Sequence, residues 1–259
     1  TVKSCVNNAD VTCTNTAKGG RCGGIIGLVE SNDTVAIEKN GNTGNINSYQ
    51  YAGGIIGMNA SNTSPINACY NTGNITGNTG GSCYIGGIVA TCNSDITNCY
   101  NRGDYKVIYS GKAAHFGGIV SDFGGTKIEN CYNTGMRSYT GDSNSSNGAI
   151  CGTGYGTSDA NKLINCYTIE GTVGEDIDKG CVTVKSADEM KSADFVKLLN
   201  GEGNAWAKGT EYPVLKWQRT LESISVELPG SVFTEGQIIG KDDITVTASY
   251  SNGVTERVT

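Results

Sequence analysis

The feature that most constrains this chain is a block that returns every 30 to 33 residues. It reads Gly23-Gly24-Ile25-Ile26-Gly27, Gly53-Gly54-Ile55-Ile56-Gly57, Gly86-Gly87-Ile88-Val89-Ala90 and Gly117-Gly118-Ile119-Val120-Ser121, with a worn copy at Asn147-Gly148-Ala149-Ile150-Cys151. A second block alternates with it: Ile66-Asn67-Ala68-Cys69-Tyr70-Asn71-Thr72-Gly73, Asn98-Cys99-Tyr100-Asn101-Arg102-Gly103, Asn130-Cys131-Tyr132-Asn133-Thr134-Gly135 and Asn165-Cys166-Tyr167. Ile37 to Ile46 is the same block without Cys-Tyr, and Ser4-Cys5-Val6-Asn7-Asn8 reads as a shortened earlier copy. A period of this length is the signature of stacked units, each of which buries its apolar face only against its neighbours.

The blocks are too short and too rich in glycine for helices, because an interior Gly costs about 1 kcal/mol relative to Ala. Their Ile and Val residues suit a pleated surface, so each block predicts a short strand. Stacked coils then place like residues in ladders about 4.8 Å apart. Ile25, Ile55, Ile88 and Ile119 form one ladder, and Cys69, Cys99, Cys131 and Cys166 another. Gly27, Gly57, Ala90, Ser121 and Cys151 read as a column of small residues where the coil is narrow. With 38 Gly, 3 Pro and 37% hydrophobic residues, the glycine content belongs to the architecture; flexible Gly-rich linkers lack the apolar residues.

The alternation of Gly-Gly-Ile-Val with Ile-x-Asn-Cys-Tyr-Asn-Thr-Gly-Asn-Ile resembles the GLUG motif repeats of bacterial surface proteins, which also occur beside immunoglobulin-A-cleaving metalloproteases and in adhesin-like chains. The resemblance covers roughly residues 5–175. It implies an all-β fold, a right-handed parallel β-helix (solenoid), displayed outside the cell at the bacterial surface and without activity of its own. The His-Glu-x-x-His zinc motif of the metalloproteases is absent, so protease function does not come with the resemblance.

Composition changes near residue 175: residues 1–174 carry 21 Asp, Glu, Lys and Arg, and the other 85 carry 23. The expected division is a solenoid over 1–182, a small α/β cap over 183–218 and part of an immunoglobulin-like domain over 219–259. Ser186-Ala187-Asp188-Glu189 fits a capping box. Met190, Ala193, Val196 and Leu199 follow at helical spacing before Asn200-Gly201, predicting one helix, or two broken at Ser192, that closes the open end of the solenoid. Trp206, Tyr212, Pro213, Leu215 and Trp217 read as the strand and core that complete this cap. Beyond Leu221 the pattern alternates (Ile224, Val226, Leu228, then Ile244, Val246, Ala248, Tyr250), with a hairpin signal at Asn252-Gly253. This resembles bacterial immunoglobulin-like domains, but 39 residues are too few for a sandwich of roughly 100. Together with the absence of an initial Met, that predicts a processed protein or a piece of a longer one.

Function classes narrow by exclusion. A net charge of −6 with no basic run does not favour a nucleic-acid partner, and no apolar stretch approaches the ~20 residues of a membrane helix. The single histidine, His115, reads as a strand or loop residue. Asp95, Asp104, Asp122, Asp142 and Asp159 fall at different points of the repeat, so no paired-carboxylate site is expected, nor a metal or cofactor. The recurring cysteines read as a buried free-thiol ladder; Cys83 with Cys92, and Cys13 with Cys22, are the better disulfide candidates. If Cys points inward, the adjacent Tyr70, Tyr100, Tyr132 and Tyr167 form an outward aromatic strip. That strip either stiffens the rod by mutual stacking or contacts a ligand or partner, namely a glycan or a host or bacterial surface protein. Ile66, Ala68 and Tyr70 share strand parity, however, so Cys-in requires a bend near Asn98 or Asn130. The expected function is a non-catalytic stalk or adhesin; the alternative is a carbohydrate-binding module of a larger secreted enzyme.

Overall fold

The computed structural model describes residues 1–14, 19–79, 81–110, 113–139, 146–154, 162–172, 180–230, 232, 234–251 and 254–258. It is a parallel β-solenoid of about five turns, followed by a small α/β element and a three-stranded antiparallel sheet. Each coil has five short faces, A to E in chain order. In the third coil they are Ile66–Asn67, Tyr70–Asn71, Ile75–Thr79, Cys83–Gly86 and Val89–Cys92. Each strand pairs in parallel with its equivalent one coil away. The isoleucine ladder sits at the D–E bend, where backbone hydrogen bonds run Ile25→Ile55, Ile55→Ile88, Ile88→Ile119 and Ile119→Ile150 at 2.9–3.1 Å.

The fifth coil corrects the sequence register by one residue. Gly117 aligns with Gly148 and Val120 with Cys151, so the small-residue column ends at Gly152 and Cys151 belongs to the apolar interior. Substitution of the second glycine by Ala149 hid this offset.

The A–B corner settles how Cys and Tyr share one strand run. Ser4, Lys39, Ala68, Asn98, Asn130 and Asn165 all adopt left-handed backbone, with φ between 49° and 57°. One left-handed residue per coil reverses the alternation of side chains. Ile66 and Cys69 therefore both enter the central core cluster, while Tyr70 leaves the coil on the other side. The bend expected near Asn98 and Asn130 is this residue, and it recurs in every coil.

The interior has a polar seam beside its apolar core. Asn7, Asn42, Asn71, Asn101 and Asn133 stack on face B, the Nδ2 of each of the first four donating to the Oδ1 of the asparagine in the next coil at 2.7–2.9 Å. The same Nδ2 atoms reach the carbonyls of Gly44, Gly73, Gly103 and Gly135 two residues on. Buried amides need such partners, since an orphaned polar group costs about 1–3 kcal/mol. The second glycine of the repeat explains itself here: a Cβ on Gly54, Gly87 or Gly118 would lie 2.4–2.5 Å from the side chain of Asn71, Asn101 or Asn133 across the coil.

Val182–Lys185 adds a last parallel strand to face B, against Cys166–Ile169. Helix α1 (Ala187–Met190) begins with the Ser186–Glu189 capping box, and helix α2 (Ala193–Asn200) is capped by Ser192, whose side chain accepts from Phe195 N. Trp206–Ala207 pairs antiparallel with Val214–Leu215. Leu221–Glu227, Thr245–Tyr250 and Thr255–Val258 form the final sheet; the Asn252-Gly253 signal lies outside the described residues.

Candidate functional site

The tyrosine column does leave the coil, but it does not meet solvent. Tyr100 and Tyr132 are 1% and 0% exposed, and Tyr70 and Tyr167 are also buried. The rings stack on one another, with centroids 5.5 Å apart for Tyr70–Tyr100 and 5.0 Å for Tyr100–Tyr132. The α/β element expected at the open end lies along this column. Phe195 meets Tyr132 and Tyr167 edge-on, Trp206 tilts against Tyr100 and Tyr132, and Trp217 tilts against Tyr70. The segment thus runs back from the late coils to the third, as a clamp on the side of the rod. The physical reason is area: four outward tyrosines offer a longer apolar strip than one terminal coil edge.

Directed bonds lock the clamp. Tyr132 OH donates to Pro213 O at 2.6 Å, Gln218 Nε2 to Tyr100 OH at 2.9 Å and Trp217 Nε1 to Ala68 O at 2.9 Å. Arg102 pairs with Glu211 at 2.6 Å. Burial pushes the phenols of Tyr70, Tyr100, Tyr132 and Tyr167 above their ordinary range. The strip read as a possible ligand contact is therefore occupied by this chain's own aromatic residues.

Other chemistry-bearing side chains are committed in a similar way. Cys69, Cys99, Cys131 and Cys166 carry free thiols in the core. Burial raises the first three well above the usual thiol range, which disfavours the nucleophilic thiolate. Neither suggested disulfide forms: Cys13, Cys22, Cys83 and Cys92 are free, with burial raising Cys22 to about 11 and Cys83 and Cys92 to about 12. Asp95 accepts from Thr126 N and Lys127 N, Asp104 from Met136 N and Asp122 from Thr153 Oγ1, each tying one coil to the next. Asp142 and Asp159 lie outside the described residues. Among the described residues no group of three His, Cys, Asp or Glu is placed to hold a metal ion, and no helix is long and apolar enough to cross a membrane.

Two surface features were not anticipated. On face D, Tyr51, Tyr84 and His115 stack at 4.9 and 4.7 Å, half-buried, with the Arg21 guanidinium 5.9 Å from the Tyr51 ring. His115 Nδ1 is buried without a hydrogen-bond partner, and desolvation lowers the imidazole's affinity for a proton. The signal was Tyr51, Tyr84 and His115, each two places before the first glycine of its block. On face C a groove of about 360 Å³ is lined by Asp10, Asn45, Asn74 and Asp104 from the B–C corners and by Asn47, Thr76, Lys106 and Ser138 from the strands that follow them.

No family model matches the sequence, and no curated protein matches it. The fold is similar to a crystal structure from Bacteroides ovatus described as a "putative immunoglobulin A1 protease": 25% identity, TM-score 0.59, covering 82% of this chain and 67% of that one. The features above define a class, a clamped parallel β-solenoid, and that neighbour is similar to it over most of the chain.

Proposed function

We propose that the chain is a non-catalytic rod of a bacterial protein exported to the cell surface, a stalk or adhesin-like segment that holds other parts of its protein away from the cell. The observation that carries this reading is where the repeated polar residues are spent. The asparagine seam bonds coil to coil inside, Asp95, Asp104 and Asp122 do so outside, and the tyrosines hold the clamp. Repetition that serves stacking gives a straight, self-supporting scaffold whose stability is a sum of neighbour terms.

The neighbour's description raises proteolysis as the competing reading. A serine or cysteine protease on this chain would use its one imidazole as the base. His115 instead stacks flat on Tyr84, and its Nδ1 bonds no nucleophile. In the face C groove carboxylate-pair chemistry lacks its geometry: its two carboxylates, Asp10 and Asp104, stand three coils apart, about 14 Å at the ~4.8 Å coil spacing, beyond the ~5–9.5 Å of glycosidase pairs. Incubation of the purified chain with human immunoglobulin A1 tests the reading. The heavy chain is expected to stay intact on a denaturing gel, and site-specific fragments absent from a His115→Ala control would overturn it.

A further inference from the structure

We propose that the face C groove binds an extended, uncharged polysaccharide laid parallel to the solenoid axis, one sugar unit per coil. This rests on the reading of the chain as an exported, non-catalytic rod and gives that rod a ligand.

The argument starts from the B–C corner. In all five coils three residues separate the end of face B from the start of face C: Asn7 to Val11, Asn42 to Ile46, Asn71 to Ile75, Asn101 to Tyr105 and Asn133 to Arg137. The third of them is Asp10, Asn45, Asn74, Asp104 and then Met136. Each of the four polar ones gives its Oδ1 to the backbone N–H of its equivalent in the next coil, at 2.8, 3.1, 3.0 and 2.8 Å. One end of the side chain is thereby pinned, and the other end, amide Nδ2 or carboxylate Oδ2, is held at the lip of the groove. Two residues further along stand Thr12, Asn47, Thr76, Lys106 and Ser138, in register across face C.

Within the groove the second, third and fourth coils therefore each offer one pinned residue, Asn45, Asn74 or Asp104, and one polar residue two places on, Asn47, Thr76 or Lys106. The pair repeats at the ~4.8 Å strand spacing, close to the advance of a sugar unit in an extended β-linked polysaccharide. Pre-positioned donors and acceptors save the ordering cost that weakens binding by flexible side chains. Charge in the groove is sparse and mixed, Asp10 and Asp104 against Lys106, which suits a neutral chain of hydroxyls better than a polyanion or a nucleic acid.

The test is affinity electrophoresis of the whole chain in gels containing β-glucan, xylan or mannan, with polygalacturonate as the anionic probe, followed by titration with a size series of the best ligand. Retardation by a neutral polysaccharide is expected, with affinity rising with oligosaccharide length and levelling off at about four or five units, the number of coils bordering the groove. The triple variant Asn47→Ala, Thr76→Ala, Lys106→Ala should weaken binding at least tenfold at an unchanged melting temperature. Thr76→Trp, which fills the groove without touching a coil-to-coil bond, should do the same, while Tyr84→Ala on face D should leave binding unaltered. No retardation by any of the three neutral polymers, retardation by polygalacturonate alone, or undiminished binding by a folded triple variant would sink the proposal. Cleavage of the bound polymer would instead overturn the non-catalytic reading and leave the groove standing; failure of an intact rod to bind removes the groove and leaves that reading.

Discussion

Faces B and D of the same rod each carry an aromatic ladder, and they have opposite fates. Tyr70, Tyr100, Tyr132 and Tyr167 are sealed under Phe195, Trp206 and Trp217, whereas Tyr51, Tyr84 and His115 stay half-exposed on their own stack. The coil-to-coil register creates both, since any outward position repeated once per coil becomes a ladder at ~4.8 Å. What differs is the cover. Stacking alone leaves ring edges in water, and among the described residues only the B ladder has a chain segment with matching aromatic residues to take them. Repetition thus builds the ladder, and a non-repetitive segment decides whether it is core or surface.

The largest test of that contrast is paired truncation. Trp206 is fully buried against Tyr100 and Tyr132, and Trp206→Ala should cost about 3–5 kcal/mol, the usual range for a buried large aromatic. Tyr84→Ala, losing stacking at a half-exposed site, should cost about 0.5–1.5 kcal/mol. Urea unfolding of both variants decides; equal losses would mean that the clamp adds nothing to the B ladder.

A second test enters the seam beneath the clamp. Asn101→Ala removes the acceptor of Asn71 Nδ2 and the donor to Asn133 Oδ1 and Gly103 O, and each orphaned group costs about 1–3 kcal/mol. Hydrogen exchange should quicken at coils three to five and stay slow in the first two. Uniform quickening would show that the rod unfolds as one unit instead of by neighbouring coils.

The gentlest probe is alkaline pH. The clamped phenols are raised by burial, so the folded state resists ionisation while the unfolded state ionises near the ordinary tyrosine value of about 10. Stability from this source is complete below that value and is lost as pH rises beyond it. Tyrosinate absorbance should therefore show a fraction of the tyrosines ionising only together with loss of the β-sheet signal. Smooth ionisation of all tyrosines with the fold intact would contradict the sealed column.

Much of the rod was legible because the repeat fixes both the coil and its register. What escaped did so for identifiable reasons. An asparagine after tyrosine looks like a solvent-facing residue, and only the recurrence of Asn42, Asn71, Asn101 and Asn133 at one place in the coil betrays a buried seam. Left-handed backbone is readable where Asn98, Asn130 and Asn165 supply it, because Asn tolerates it, but Lys39 and Ala68 conceal the same corner. The helices and their caps were local and readable, whereas their docking site was not, because which surface they cover depends on a tyrosine column assembled from coils far away in sequence.

That distance has a consequence for how the protein is made. Successive coils bond at separations near 30 residues, but Trp217 reaches Ala68 across 149. Coils can close almost as fast as they emerge from the ribosome or an export channel, since short loops are cheap to order. The clamp arrives only after the coils that it covers. Until then Tyr70 and Tyr100 belong to a folded rod with a greasy stripe down one side, at the stage when exposed apolar surface invites association with other chains. A chaperone, or immediate passage out of the cell in an unfolded form, would bridge the interval, and the cell's handling of this protein is thereby tied to the order in which its residues appear.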